Sequence, residues 1–302
     1  MKRPSLLGCG ANEKLFEDGL AAVESVMIHA VGGERVSECG IAARAGIDHL
    51  TAGGRRVRAR LALQAGEALG LSVNDSVIVA AAVELLHNAS LVHDDLQDRE
   101  KSRRGVQTVW AAHGDEIAIC TGDLLLSSAY GVLSKFSDCR KLPDLIKQAH
   151  DCSSKVIRGQ CAELSARGKQ VTDMAVYEGI AAGKSGALLG LPLELGLIAS
   201  DHHAWLSEAE RAARSFGIAY QIRDDIEDVV SDAMGEAGPR AVNALLVLRA
   251  GGHGQNAEAV AREIGLYHIR SAIESAGRLP NGAGGFLREL AQGLSNQLLT
   301  KG

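Results

Sequence analysis

Aromatic side chains are scarce: they make up 3% of the 302 residues. Base stacking, the usual way of gripping single-stranded nucleic acid, therefore has little to work with. The formal net charge of −5 leaves no phosphate-backbone footprint either, so no nucleic-acid partner is expected. The cysteines (Cys9, Cys39, Cys120, Cys139, Cys152 and Cys161) form no C-x-x-C pair and no zinc-like spacing. That is the usage of reduced thiols in a cytoplasmic protein. Leu6-Leu7-Gly8-Cys9 has a faint likeness to a lipoprotein cleavage box, but the apolar run before Cys9 is far too short, and Glu13 and Lys14 follow at once. No apolar run approaches the roughly 18 residues that span a bilayer, so a soluble chain without a transmembrane segment is expected. Proline occurs five times and alternating β-branched runs are nearly absent, which argues against a sheet protein.

What remains is rich in alanine, leucine and glutamate. Hydrophobic residues make up 46%, enough for one sizeable core or two small ones. The segments 14–31, 57–69, 76–98, 116–136, 144–164, 173–199, 207–229 and 240–250 repeat apolar residues at three- and four-residue spacing, the pattern of amphipathic helices. Breaks such as 70–74 and 137–143 are short and carry Gly, Asn, Asp or Pro. Helices joined by short turns pack antiparallel. An all-α helical bundle follows. The glycines of 251–256 and 281–285 are expected in loops, and no linker divides the chain, so one domain over 1–302 is the economical reading.

Two acidic clusters stand out. Asp94-Asp95-Leu96-Gln97-Asp98 places Asp94 and Asp98 one turn apart on one helical face. About 130 residues on, Asp224, Asp225 and Asp228 repeat the spacing. Like charges at this separation are mildly destabilising unless a cation bridges them. Taken singly, each is best read as a solvated helix end. Two matched clusters on different helices, if those helices face each other, make an all-oxygen site. Hard oxygen ligands suit Mg²⁺, which keeps waters and completes its shell with substrate phosphates.

A diphosphate also needs fixed positive charge. Arg103-Arg104-Gly105 follows the first cluster, Gly53-Gly54-Arg55-Arg56-Val57-Arg58 stands upstream in an expected loop, and Lys184-Ser185-Gly186 interrupts an apolar helix. Arginine's planar fork suits phosphate oxygens, and glycine lets the backbone approach them.

These motifs, in this order from about residue 50 to 230, resemble those of the trans-isoprenyl diphosphate synthases, the polyprenyl synthetase family. GGRRVR resembles the family's GGKRxR, and HNASLVHDDLQD with RRG resembles its first aspartate-rich region. Lys184-Ser185 resembles its Lys-Thr pair, and YQIRDDIED its second aspartate-rich region with the leading Gln. The resemblance implies a single all-α domain, the isoprenoid or terpenoid synthase fold, with helices around a central cavity and a homodimer as the usual assembly.

Carried over by position, the resemblance makes Asp94, Asp98 and Asp224 direct Mg²⁺ ligands, with Asp95, Asp225 and Asp228 assisting through waters or from behind. It implies three Mg²⁺ ions bound together with diphosphate. Arg103 and Lys184 would hold the allylic diphosphate; Arg55, Arg58, His87 and Arg104 would hold isopentenyl diphosphate; Ser185 and Gln221 would lie close to the developing allylic cation. The implied reaction ionises the allylic C–O bond, and the double bond of isopentenyl diphosphate attacks the cation. The departing diphosphate then takes the proton that is lost.

One turn below Asp94 lie Ser90 and Ala89, then Leu86, then Val83 and Ala82. In the family, bulky aromatics four or five residues before the first Asp close the pocket after short products. Small residues here imply an open pocket and a product such as geranylgeranyl diphosphate; alternatively, Ala89 and Ser90 only permit close helix packing. The sequence also departs from the family. No lysine occurs between Lys184 and Lys301, where family lysines clamp the diphosphate, and Arg240 is a candidate to replace one of them. Arg55 stands for the usual Lys, and Ala59 where proline is common. Two other readings stay open on the same scaffold: a terpene cyclase, against which Arg55, Arg58, His87 and Arg104 argue, and a non-catalytic subunit, against which the intact carboxylates argue.

Overall fold

A computed structural model describes residues 9–33, 40–233 and 242–300. Among the described residues the regular elements are helices apart from one short hairpin. They pack as two compact units, Met1–Ile146 and Lys147–Gly302, with the boundary inside helix α7 (Leu142–Ala166).

In the first unit, α1 (Cys9–Gly32), α2 (Ile41–Thr51) and α3 (Val57–Ala68) lead to α4 (Val73–Asp98). Helix α4 packs against α1, α3 and α6 (Asp115–Leu133). It is the central helix of the unit because Val77, Val79, Ala81, Val83 and Leu85 bury every side of it. Its start is pinned. Ser72 accepts the Asp75 N–H at 3.0 Å, and Asp75 accepts the backbone N–H and the hydroxyl of Ser137 at 3.0 and 2.7 Å. Its far end unwinds through Arg99, in the left-handed region at φ 57°.

There the structure adds what sequence did not announce, a hairpin of β1 (Ser102–Arg103) and β2 (Val106–Gln107). Its central residues, Arg104 and Gly105, both have positive φ (53° and 80°), as a two-residue hairpin turn of the right twist requires. Arginine is an unusual first residue for that turn, which hid it. A short α5 (Val109–His113) follows.

The second unit is built on α10 (Leu206–Ala233). Around it pack α9 (Ala187–Ala199), α11 (Ala244–Leu248), α12 (Ala257–Arg278) and α13 (Gly285–Thr300). Helix α7 (Leu142–Ala166) leads into it, and α8 (Met174–Ala181) joins α9 through a π-helical turn, Ala182–Gly186. Backbones meet closely here: a Cβ added at Gly217 would lie 2.6 Å from the Gly186 backbone.

Most predicted helices are found near their predicted bounds; 173–199 is divided by the π turn. Of 240–250, residues 242–250 are described, with α11 at their centre and a π turn from Arg249, and Arg240 lies outside the described residues. The glycines of 251–256 fall in tight π and 3-10 turns before α12; of those in 281–285, Gly282 ends a 3-10 turn and Gly285 opens α13. Helices α4 and α6 are each long and apolar enough, by length and composition, to cross a membrane. Each holds an 18-residue apolar window in which interspersed polar residues break any continuous apolar run. In α4 that window is 78% buried within the chain, as befits a core helix. In α6 it is 39% buried.

Candidate active site

In the first unit, α4 carries the first acidic cluster, and its three aspartates do not share one environment. Asp94 and Asp98 are partly exposed. Asp95 is 1% exposed and accepts from Arg103, with Nε at 2.8 Å and Nη2 at 2.6 Å from Oδ1. Burial pushes the Asp95 carboxyl above its ordinary range, while the Arg103 bond pulls it down. Arg103 therefore sits where its carboxylate partner fixes the fork, on the strand that leaves α4.

Arg104 reaches back to the glycine loop and donates from Nη1 to the Gly53 carbonyl. Gly54 has φ 136°, and a Cβ there would stand 2.8 Å from the Arg104 guanidinium carbon, so glycine is required. Nearby, His87 has no hydrogen-bond partner for its buried Nδ1 among the described residues. Burial, then Arg58, Arg104 and Arg103, hold its pKa well below the ordinary value. The predicted set Arg58, His87 and Arg104 is thus one basic cluster around a neutral imidazole. Arg55 is exposed in the loop before α3.

The loop is held by a residue that sequence gave no role. Arg56 is buried in the left-handed region at φ 48°. It donates to Glu24 at 3.0 Å and to the Leu50 carbonyl at 2.5 Å, with Glu84 at 3.9 Å. Glu84, itself buried in α4, accepts the Ala59 N–H at 3.0 Å; the residue standing where proline is common has a donor that proline lacks. His49 was also missed. It is buried, with a pKa lowered to about 4 by burial and then by Arg104 and Arg103. An acidic residue mid-way along an apolar helix, Glu84, was the available signal. Below the cluster, Leu86 and Ala89 are buried, and Ser90 donates its hydroxyl to the His87 carbonyl at 2.8 Å.

In the second unit, the π turn presents Lys184 and Ser185. Lys184 Nζ lies 2.8 Å from Glu163 on α7, a partner that sequence did not single out although Gln160 and Glu163 stand one turn apart. Ser185 Oγ lies 3.4 Å from Gln221 Oε1. The second cluster divides as the first does. Asp224 is partly exposed beside Arg223 at 3.0 Å, and Asp228 is exposed. Asp225 is 4% exposed and accepts from Gln221 Nε2 at 2.9 Å and the Ala244 N–H at 2.8 Å. Among the described residues no three His, Cys, Asp or Glu side chains converge as a preformed metal group. The outer aspartates nevertheless offer oxygen ligands of the kind Mg²⁺ takes alongside phosphate and water.

The fold belongs to a known class. The chain superposes on the crystal structure of geranylgeranyl pyrophosphate synthetase from Pyrococcus horikoshii with a TM-score of 0.79, at 25% identity over 94% of this chain and 99% of that one. A decaprenyl diphosphate synthase from Rhodobacter capsulatus has the same fold, with a TM-score of 0.79 at 21% identity over 94% and 98%. Among curated proteins, the short chain isoprenyl diphosphate synthase of Methanothermobacter thermautotrophicus is 34% identical over 187 residues, 61% of this chain and 58% of that protein. The (2E,6E)-farnesyl diphosphate synthase of Mycobacterium tuberculosis is 36% identical over 176 residues, 57% of this chain and 48% of that protein. The chain thus spans about half the length of the curated relatives it matches. The polyprenyl synthetase family profile matches residues 42–238, and the chain belongs to that family.

Proposed function

We propose that the chain is a trans-prenyltransferase that condenses an allylic diphosphate with isopentenyl diphosphate, and that residues 1–302 act as one polyprenyl synthetase domain. The observation that carries this reading is the matched division of the two clusters. In each, the middle aspartate is buried on protein donors, and the outer two, Asp94 with Asp98 and Asp224 with Asp228, are more exposed to solvent. Mg²⁺, bound by the outer aspartates with diphosphate, would supply the charge neutralisation that helps a diphosphate depart.

The chain's own residues do the rest. In the first unit Arg103, its fork oriented by Asp95, binds diphosphate oxygens, and in the second unit the Lys184 ammonium beside Glu163 does the same. Arg58, Arg104 and Arg55 bind the second diphosphate, and His87, neutral at pH 7, donates to it without adding charge. Ser185 and Gln221 face the allylic cation that ionisation leaves, and the apolar walls exclude water. The departing diphosphate accepts the proton. Leu86, Ala89 and Ser90 line the floor, and geranylgeranyl diphosphate is the proposed product.

A homodimer and a cytoplasmic location complete the reading. Helix α6 supports the first, with Ile119 49% exposed on an apolar helix. The second is supported by Cys120, Cys139, Cys152 and Cys161, which form no disulfide.

The test is incubation with Mg²⁺, isopentenyl diphosphate and dimethylallyl, geranyl or farnesyl diphosphate, followed by chain-length analysis, with and without chelator. Linear products that vanish with chelation and return with Mg²⁺ are expected. Cyclic hydrocarbons or alcohols from a single substrate would assign the chain to terpene cyclases. No turnover with any primer would make it a non-catalytic subunit, the reading that the lysine-free stretch from 185 to 300 favours.

A further inference from the structure

A glutamine beside a cation is useful in only one of its two amide orientations. With the carbonyl oxygen toward the cation it stabilises the charge; turned by 180° it presents N–H and opposes it. In the second unit the orientation of Gln221 is fixed by a chain of contacts. Its Nε2 donates to Asp225 Oδ1 at 2.9 Å, so Oε1 lies on the Ser185 side, 3.4 Å from Oγ. Asp225, an acceptor when ionised, allows only that choice.

Asp225 is itself held from behind. Its Oδ2 accepts the Ala244 N–H at 2.8 Å, and its backbone carbonyl accepts from Asn243 Nδ2 at 2.9 Å. Asn243 is 1% exposed, and its Oδ1 caps α11 by accepting from Leu245 and Leu246 at 2.9 and 3.4 Å. One buried side chain therefore starts α11 and ties that start to the second acidic cluster. Ala257, Ala261, Leu245 and Leu248 pack with Tyr177 and Ile222 in the same core, which keeps the joint dry.

We propose that Asp225 and Asn243 are positioning residues: they lock the Gln221 amide so that its carbonyl oxygen faces the allylic cation, with Asp225 acting through Gln221 rather than as a metal ligand. The inference rests on the prenyl-transfer reading above. Both oxygens of Asp225 are engaged by fixed amide donors, Gln221 Nε2 and the Ala244 N–H, whereas Asp95 is engaged by the Arg103 guanidinium.

A double-mutant cycle separates the two roles. Asp225→Asn is isosteric, but its one oxygen is kept by the Ala244 N–H, so it turns its NH2 toward Gln221 and the amide loses its productive direction. Asn243→Asp keeps the cap on α11 and removes the donor to Asp225. Each is expected to lower kcat about tenfold, or ~1.4 kcal/mol in the barrier, with the KM of both diphosphates changed less than about twofold. Gln221→Met should lower kcat similarly, and adding Asp225→Asn to it should cost nothing more. Additive losses, or a rise in the Mg²⁺ requirement with Asp225→Asn, would overturn the proposal and make Asp225 a metal residue. Wild-type inactivity would overturn the prenyl-transfer reading instead. The lock itself is then read without turnover, by hydrogen exchange of the ¹⁵N-labelled Gln221 side chain. Protection lost in Asp225→Asn is expected, and unchanged protection refutes the lock.

Discussion

Replacing Glu194 by glutamine should stabilise the protein at pH 8 and leave it nearly unchanged at pH 4.5. Glu194 lies on α9, the helix that follows the Lys184–Ser185 turn, and is 6% exposed. Burial pushes its carboxyl from 4.5 to about 7, and the Gln148 hydrogen bond at 2.6 Å offsets only part of that. The folded state therefore keeps a proton that the unfolded chain releases, so stability present below pH 4.5 is lost as pH rises toward 7. At about 1.4 kcal/mol per pH unit, that gap puts the cost of ionising Glu194 at ~3 kcal/mol. Glutamine has nearly the same shape, keeps an oxygen for Gln148 and cannot ionise. Urea unfolding at pH 4.5, 6.5 and 8 should give a difference from wild type that grows from near zero to about 3 kcal/mol. A difference of the same size at all three pH values would refute the reasoning, because the gain would then come from packing.

Three further outcomes are expected. His49, with a pKa lowered to about 4, is neutral in the fold and protonates more readily when unfolded. Stability should thus fall by up to ~1.4 kcal/mol per unit as pH drops from 6.5 toward 4, and His49→Asn should flatten that slope in thermal melts across pH. Arg56→Ala leaves Glu84 buried without its cation and should cost about 3–5 kcal/mol in urea unfolding; a loss below about 1 kcal/mol would show that the Ala59 N–H alone satisfies Glu84. Ser90→Phe should shorten the product by one or more five-carbon steps in chain-length analysis, and an unchanged product would remove Ser90 from the floor.

The helices were legible because their signal is local. Apolar residues every three or four positions settle α3, α4, α6 and α10 without knowledge of what they touch. The hairpin was not legible, since its turn uses Arg104-Gly105 and its strands are two residues each, too short for any alternation. The same divide runs through the site. Spacing alone put Asp94 with Asp98, and Asp224 with Asp228, on single faces. It could not say that Asp95 turns inward to Arg103, that Lys184 rests on Glu163, or that Arg56, one residue from Arg55, is buried on Glu24 and Glu84.

Sequence by itself determined the helical periods, the two carboxylate clusters and the basic motifs around them, because each is written within one or two turns of chain. Only the tertiary structure decided which member of each cluster is exposed and which is spent on the fold. That choice depends on donors supplied from elsewhere, Arg103 for Asp95 and the Ala244 N–H for Asp225. A buried carboxylate must find such donors or give up its charge, and no local spacing records where they come from.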